Sequence, residues 1–208
     1  VKPHQAPTAL AMTGASGSAY GLKTLEVLLA AGERVYLMLS TPALLVINSE
    51  TDLKLPAQPK AIEAYLNQHF QVPSGQLQVF GKAQWTAPVA SGSNPPRAMV
   101  ICPCTNGTLA GIAAGLSRNL IERAADVVLK EQRKLILVHR ETPLSVIQLE
   151  NMLRLARAGA LIMPANPGFY YRPQRAEDLV NFMVARILDH LAVEHCLLPR
   201  WGEDAQSL

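Results

Sequence analysis

Thr8-Ala9-Leu10-Ala11-Met12-Thr13-Gly14-Ala15-Ser16-Gly17-Ser18-Ala19-Tyr20-Gly21 is the stretch on which the fold turns. Thr8 to Met12 is a short apolar run of strand length, Gly14 to Ser18 is a turn, and an apolar-periodic helix follows from about Tyr20 to Ala30. Strand, glycine turn and helix make one βα unit. Gly32 ends that helix, and Val35-Tyr36-Leu37-Met38-Leu39 reads as a second buried strand closing at Ser40. Pro42 suits the first turn of a short helix, Ala43 to Ser49, which delivers Glu50 at its end.

The alternation continues outward. Pro56, Pro59, Pro73, Pro88, Pro95 and Pro96 punctuate the next stretch, leaving one helix near Ile62 to Phe70, one strand near Leu77 to Phe80 and a long loop. Ala98 to Cys102 is a strand, and Thr105-Asn106-Gly107-Thr108 caps a small-residue helix through Ala114. Leu120 to Glu131 reads as a helix with Ile121, Ala124, Ala125 and Val128 on one face. Leu135 to Val138 is a strand ending at Arg140-Glu141, Val146 to Ala158 a helix, Ala160 to Met163 a strand and Ala176 to Leu191 the last helix. Continuous apolar strands between helices imply a parallel sheet covered on both faces. The expectation is a three-layer α/β fold, Rossmann-like or flavodoxin-like, forming one domain over residues 1–208. Residues 1–7 read as a flexible leader, and 192–208 as a tail contributing to the active site or a subunit interface.

Composition narrows the function. Charged residues are only 17% against 49% hydrophobic, lean enough in charge to suggest that part of the surface is buried between subunits. Lys and Arg are spread along the chain, so neither a nucleic-acid footprint nor a membrane one is expected. No apolar run has membrane-spanning length and the start lacks the pattern of a signal peptide, which points to the cytoplasm. Cys102, Cys104 and Cys196 suit reduced thiols, and Cys102-Pro103-Cys104 lacks the partner pair that zinc requires, so no metal is expected.

In an open parallel sheet, ligands bind beyond the carboxyl ends of the strands. Gly14-Ala15-Ser16-Gly17, Ser40, Thr105 to Thr108, Arg140-Glu141 and Gly168-Phe169-Tyr170 all follow strands and converge on that rim. The first turn is either a phosphate cradle or an ordinary tight connection; it is neither the dinucleotide fingerprint nor a P-loop. Arg186 falls in the apolar stripe of Leu179, Phe182 and Met183, where a guanidinium needs an anionic partner, or else snorkels at the edge. Arg123, Asp126 and Lys130 fit a solvated charge ladder. Glu50 and Glu141 are either general acid/base groups or surface carboxylates. Trp85 and Trp201 sit where large aromatics pin a loop to the body or to a neighbouring subunit. None of the five histidines has metal-ligand or triad spacing, and none is given a catalytic role.

Met12 to Gly21 resembles the amino-terminal flavin motif of the UbiX-like flavin prenyltransferases. Ser91-Gly92-Ser93, Cys102 to Leu109, Asn119 to Val127, Leu129-Lys130-Glu131 and Pro167-Gly168-Phe169-Tyr170 match in order, covering roughly residues 9 to 203. The resemblance implies transfer of the dimethylallyl group of dimethylallyl phosphate to N5 and C6 of reduced FMN, giving the prenylated flavin used by UbiD-type decarboxylases. By motif, Gly14, Ala15, Ser16, Ser40, Thr105, Asn106, Gly107, Thr108 and Arg140 hold FMN. Arg123, Lys130, Tyr170 and Arg186 surround the donor phosphate, some across a subunit boundary, and Trp85 or Trp201 faces the allyl group. Ser16, Glu50 and Glu141 serve the proton movements. His139 departs from the pattern, where proline is usual before Arg140-Glu141. The resemblance also implies a homo-oligomer, a dodecamer. The alternatives are an FMN carrier and a cysteine-decarboxylase-like FMN enzyme on the same scaffold.

Overall fold

The computed structural model describes residues 6–199. Residues 1–5, within the expected flexible leader, and 200–208, with Trp201, lie outside the described residues. The strands are β1 (Thr8–Met12), β2 (Val35–Leu39), β3 (Leu77–Phe80), β4 (Ala98–Cys104), β5 (Lys134–His139) and β6 (Leu161–Pro164). The helices are α1 (Ser18–Ala30), α2 (Thr41–Glu50), α3 (Pro59–His69), α4 (Asn106–Ala113), α5 (Leu120–Lys130), α6 (Val146–Arg157) and α7 (Ala176–Leu191). Among the described residues the strands form one sheet in the order β3-β2-β1-β4-β5-β6, and every neighbouring pair is parallel. This is the doubly wound Rossmann order.

Side chains alternate across the sheet as the strand period requires. Leu10, Met12, Leu37, Val100 and Val138 face a core built with α1, α2, α3 and α7. Ala9, Ala11, Met38, Met99, Ile101 and Leu137 face a second core built with α4, α5 and α6. Fully buried side chains such as Leu10, Leu25 and Ile101 each contribute roughly 1.5–3 kcal/mol by leaving water. Gly21 lets α1 lie directly on the sheet: a Cβ there would come 2.3 Å from the Cys102 carbonyl oxygen.

Boundaries shift where caps act. α2 begins at Thr41, ahead of the expected Ala43, because the Ser40 hydroxyl accepts the Ala43 amide at 3.1 Å. The stripe expected for the last helix is corrected: α7 buries Met183, Val184, Ile187, Leu188 and Leu191, while Arg186 is exposed and paired with Asp189 at 2.8 Å. α6 buries only Met152 and Leu155, leaving Val146, Ile147, Leu149 and Leu153 at least half exposed. Among the described residues no helix is long and apolar enough to cross a membrane.

Candidate active site

The chain leaves β1 toward β2 on one side, and β4 returns on the other, so the crevice opens between the carboxyl ends of β1 and β4. Thr13 pins those ends together. Its buried hydroxyl donates to the Pro103 carbonyl at 2.8 Å and accepts the Thr105 amide at 2.8 Å. The sequence reading passed over Thr13, because the partner strand that defines its job lies 90 residues on.

Gly17 caps α1 with φ +100°, a left-handed conformation natural to glycine, and supplies no side-chain cap. Glu50, the last residue of α2, fills that role. Its carboxylate accepts the Gly17 amide at 3.0 Å, the Ser18 amide at 2.8 Å and the Ser18 hydroxyl at 2.7 Å. Partial burial pushes the Glu50 carboxyl up, but hydrogen bonds from the Ser16 and Ser18 hydroxyls and the Ser18 and Gly17 amides outweigh it and hold its pKa below the usual range. The start of α1 is therefore neither an open phosphate cradle nor a mere connection: it seats a carboxylate. Ser16 and Glu50 come together, and Gly17 and Ser18, absent from the expected site, complete the seat. Gly14 serves packing against Pro42, which a Cβ would approach to 2.3 Å. Ala15 beside it is buried.

Across the crevice, the Thr105 hydroxyl caps α4 by accepting the Thr108 amide at 3.3 Å and donates to the Thr108 hydroxyl at 3.0 Å. Nothing crowds the position where a Gly107 side chain would stand, so the first turn of α4 is open to an approaching ligand. Asn106 donates to Glu141 and lies 2.6 Å from His139 Nε2. His139, which the sequence reading set aside, is thus bound into the rim. Burial pushes its pKa down, Glu141 opposes this and Arg140 adds to it, leaving the imidazole below its ordinary value. Arg140 Nε is buried without a hydrogen-bond partner among the described residues. An orphaned guanidinium N–H calls for an acceptor. With the hydroxyls of Ser40 and Thr108, which can donate while they accept, this edge fits the phosphate and polar chain of a flavin nucleotide.

The remaining candidates stand elsewhere. Lys130 ends α5 four residues before β5 begins, which sets it at the amino edge of the sheet. α5 is 11 residues, about 16 Å long, so Lys130 is a helix length from the rim that holds Glu50 and Glu141. Lys130 pairs with Glu131 at 2.5 Å, and Arg123 pairs with Asp126 at 2.7 Å while donating to the Ala90 carbonyl at 3.0 Å. Gly92 lies against Lys130 and Glu131, so Ser91-Gly92-Ser93 joins these cations in one patch. Gly168 packs against the ring of Phe182, one turn before Arg186, and Tyr170 follows it, largely exposed. Trp85 is half exposed.

Residues 2–188 match the flavoprotein family model. The flavin prenyltransferase UbiX of Pseudomonas aeruginosa is 56% identical over 93% of this chain and 93% of its own length. That of Alkalihalophilus pseudofirmus is 47% identical over 92% and 94%. The structure of AnUbiX in complex with FMN and dimethylallyl pyrophosphate aligns with a TM-score of 0.84 and 38% identity, covering 96% of this chain and 98% of that one. A dodecameric FMN-dependent UbiX-like decarboxylase from Escherichia coli aligns with a TM-score of 0.82, also at 38% identity, over 94% and 99%. An FMN-dependent cysteine decarboxylase, at 18% identity and a TM-score of 0.55, shares the fold alone. The chain belongs to the flavoprotein family and, within it, to the UbiX flavin prenyltransferases.

Proposed function

We propose that this protein joins the dimethylallyl group of dimethylallyl phosphate to N5 and C6 of reduced FMN and releases a prenylated flavin. The observation that carries this reading is the Glu50 carboxylate, held ionised at the start of α1 by Ser16, Gly17 and Ser18. It stands at the switch-point crevice, opposite an edge suited to a flavin nucleotide. Closing a ring on C6 requires a base there, and a carboxylate with a lowered pKa is available as one at neutral pH. Ser16 and Glu141 are the other proton-handling groups. Gly14, Ala15 and Ser16, with Ser40, Thr105 to Thr108 and Arg140, line the flavin.

Leaving of the phosphate develops negative charge on it and positive charge on the allyl group. Tyr170 and Arg186 receive the phosphate in one subunit, and the tail from Ala192 to Glu194 lines the same cleft as Arg186. Arg123 and Lys130 reach it from a neighbour, because α5 carries Lys130 away from the rim of its own subunit. The bare apolar face of α6 supports assembly, and the dodecamer is the form we infer. Trp85 and Trp201 are the aromatic candidates to face the allyl cation. A cytoplasmic setting suits the three free thiols.

Delivery of the product to a UbiD-type decarboxylase supplies the test. A decarboxylase prepared without prenylated flavin should gain activity when mixed with this protein, reduced FMN and dimethylallyl phosphate. A decarboxylase that stays inactive with this protein, yet responds to authentic prenylated flavin, contradicts the reading.

A further inference from the structure

His139 closes β5 and is 2% exposed. Its backbone is held on both sides, paired with Cys104 of β4 and Pro164 of β6. Its side chain reaches Asn106 Oδ1 through Nε2 at 2.6 Å, and Asn106 Nδ2 donates to Glu141 Oε2. The other Glu141 oxygen, Oε1, accepts the Thr142 amide at 3.2 Å. Chemistry fixes the direction of this chain. A carboxylate oxygen accepts, so Asn106 must turn its NH2 toward Glu141 and its carbonyl oxygen toward His139. The imidazole must then carry a proton on Nε2. With the amide flipped, two acceptors would meet at Glu141, and the imidazole would have to move its proton from Nε2 to Nδ1.

We propose that His139 is a positioning residue for proton transfer: by donating from Nε2 to the Asn106 carbonyl oxygen, it holds in place the amide that aims the Glu141 carboxylate at the crevice. Glu141 is an exposed side chain at the rim, and Asn106 sits in the first turn of α4 beside the expected flavin. A group that must meet a proton within hydrogen-bond reach loses rate steeply when misplaced by an ångström. Burial keeps the imidazole neutral, so it orients without adding a charge beside Arg140. The inference rests on Glu141 handling a proton in the proposed reaction.

The test compares His139→Leu, which keeps an apolar volume but removes the donor, with His139→Gln, whose side-chain amide nitrogen can replace Nε2. Crystal structures of the flavin-free variants should show Glu141 leaving Asn106 in H139L and staying in H139Q. Turnover with reduced FMN and dimethylallyl phosphate should fall roughly ten- to hundredfold in kcat for H139L, with KM values within about twofold, and H139Q should recover most of it. In a Glu141→Gln background the H139L change should cost nothing further. Glu141 unmoved in H139L, or equal losses in H139L and H139Q, overturns the proposal. If the wild-type protein makes no prenylated flavin, the functional reading fails, and the two crystal structures still decide whether His139 positions Glu141.

Discussion

The Glu50 carboxylate lies 2.7 Å from the Ser18 hydroxyl and 2.8 Å from the Ser18 amide, so the last residue of one helix caps the first turn of another. An anion at a helix start is stabilised by the unpaired N–H groups and the positive end of the dipole. The same contacts lower the folded pKa of Glu50 below its unfolded value. A lowered carboxyl pKa gives stability that is complete above the unfolded value, about pH 4–5, and lost as pH falls through the folded one. Glu50→Gln should therefore lower Tm by about 1–4 °C near pH 7. The gap between wild type and variant should narrow as the pH drops below about 4. Thermal melts across that range check it; a gap that stays constant contradicts the seat.

Among the described residues, Arg140 carries the one cationic N–H that is buried and unpartnered. A charge-assisted hydrogen bond to a flavin phosphate or ribityl oxygen contributes about 1.5–3 kcal/mol, so Arg140→Ala should weaken FMN affinity roughly ten- to hundredfold. Fluorescence titration of FMN measures it, with little change expected in KM for dimethylallyl phosphate. Unchanged FMN affinity removes Arg140 from the flavin edge.

Thr13 joins β1 to β4 through one hydroxyl used in both directions. Thr13→Val keeps the shape and leaves the half-buried Thr105 amide without its acceptor, a loss of roughly 1–3 kcal/mol. Urea unfolding should show this loss in the midpoint with the slope unchanged. Flavin affinity should fall as well, because Thr105 to Thr108 follow directly from that junction. A stable variant with weakened flavin binding would make Thr13 a ligand-site residue rather than a strand clamp.

Much of the scaffold is legible in the residues, and the limits have particular causes. Thr8 to Met12 and Val35 to Leu39 read as buried strands because a parallel sheet covered on both faces needs unbroken apolar runs. Glu50 is legible as a rim residue, but its seat on Gly17 and Ser18 is not, since the angle between α1 and α2 sets it. Arg186 misleads periodicity: α7 has apolar residues around most of its circumference, and packing against α1, not spacing, chooses which face is buried. His139 and Asn106 are 33 residues apart, and only the pairing of Cys104 with His139 in the sheet brings them together.

Lys130 and Glu50 stand at opposite edges of the sheet, which makes site sharing testable. Lys130→Ala and Glu50→Gln should each be nearly inactive alone. Co-expressed in equal amounts, they should recover about one quarter of wild-type activity, because a random mixture leaves that share of composite sites intact. Steady-state rates of the mixed oligomer against each pure variant measure it. No recovery in verified mixed oligomers would mean that both residues serve one subunit.

The most direct measurement is the mass of the flavin after anaerobic incubation of the protein with reduced FMN and dimethylallyl phosphate. A flavin heavier by one C5H8 unit, with a changed absorption spectrum and absent from a protein-free control, is the predicted result. Unmodified FMN recovered from a protein that binds it would contradict the account and leave a carrier, or a different FMN reaction, in its place.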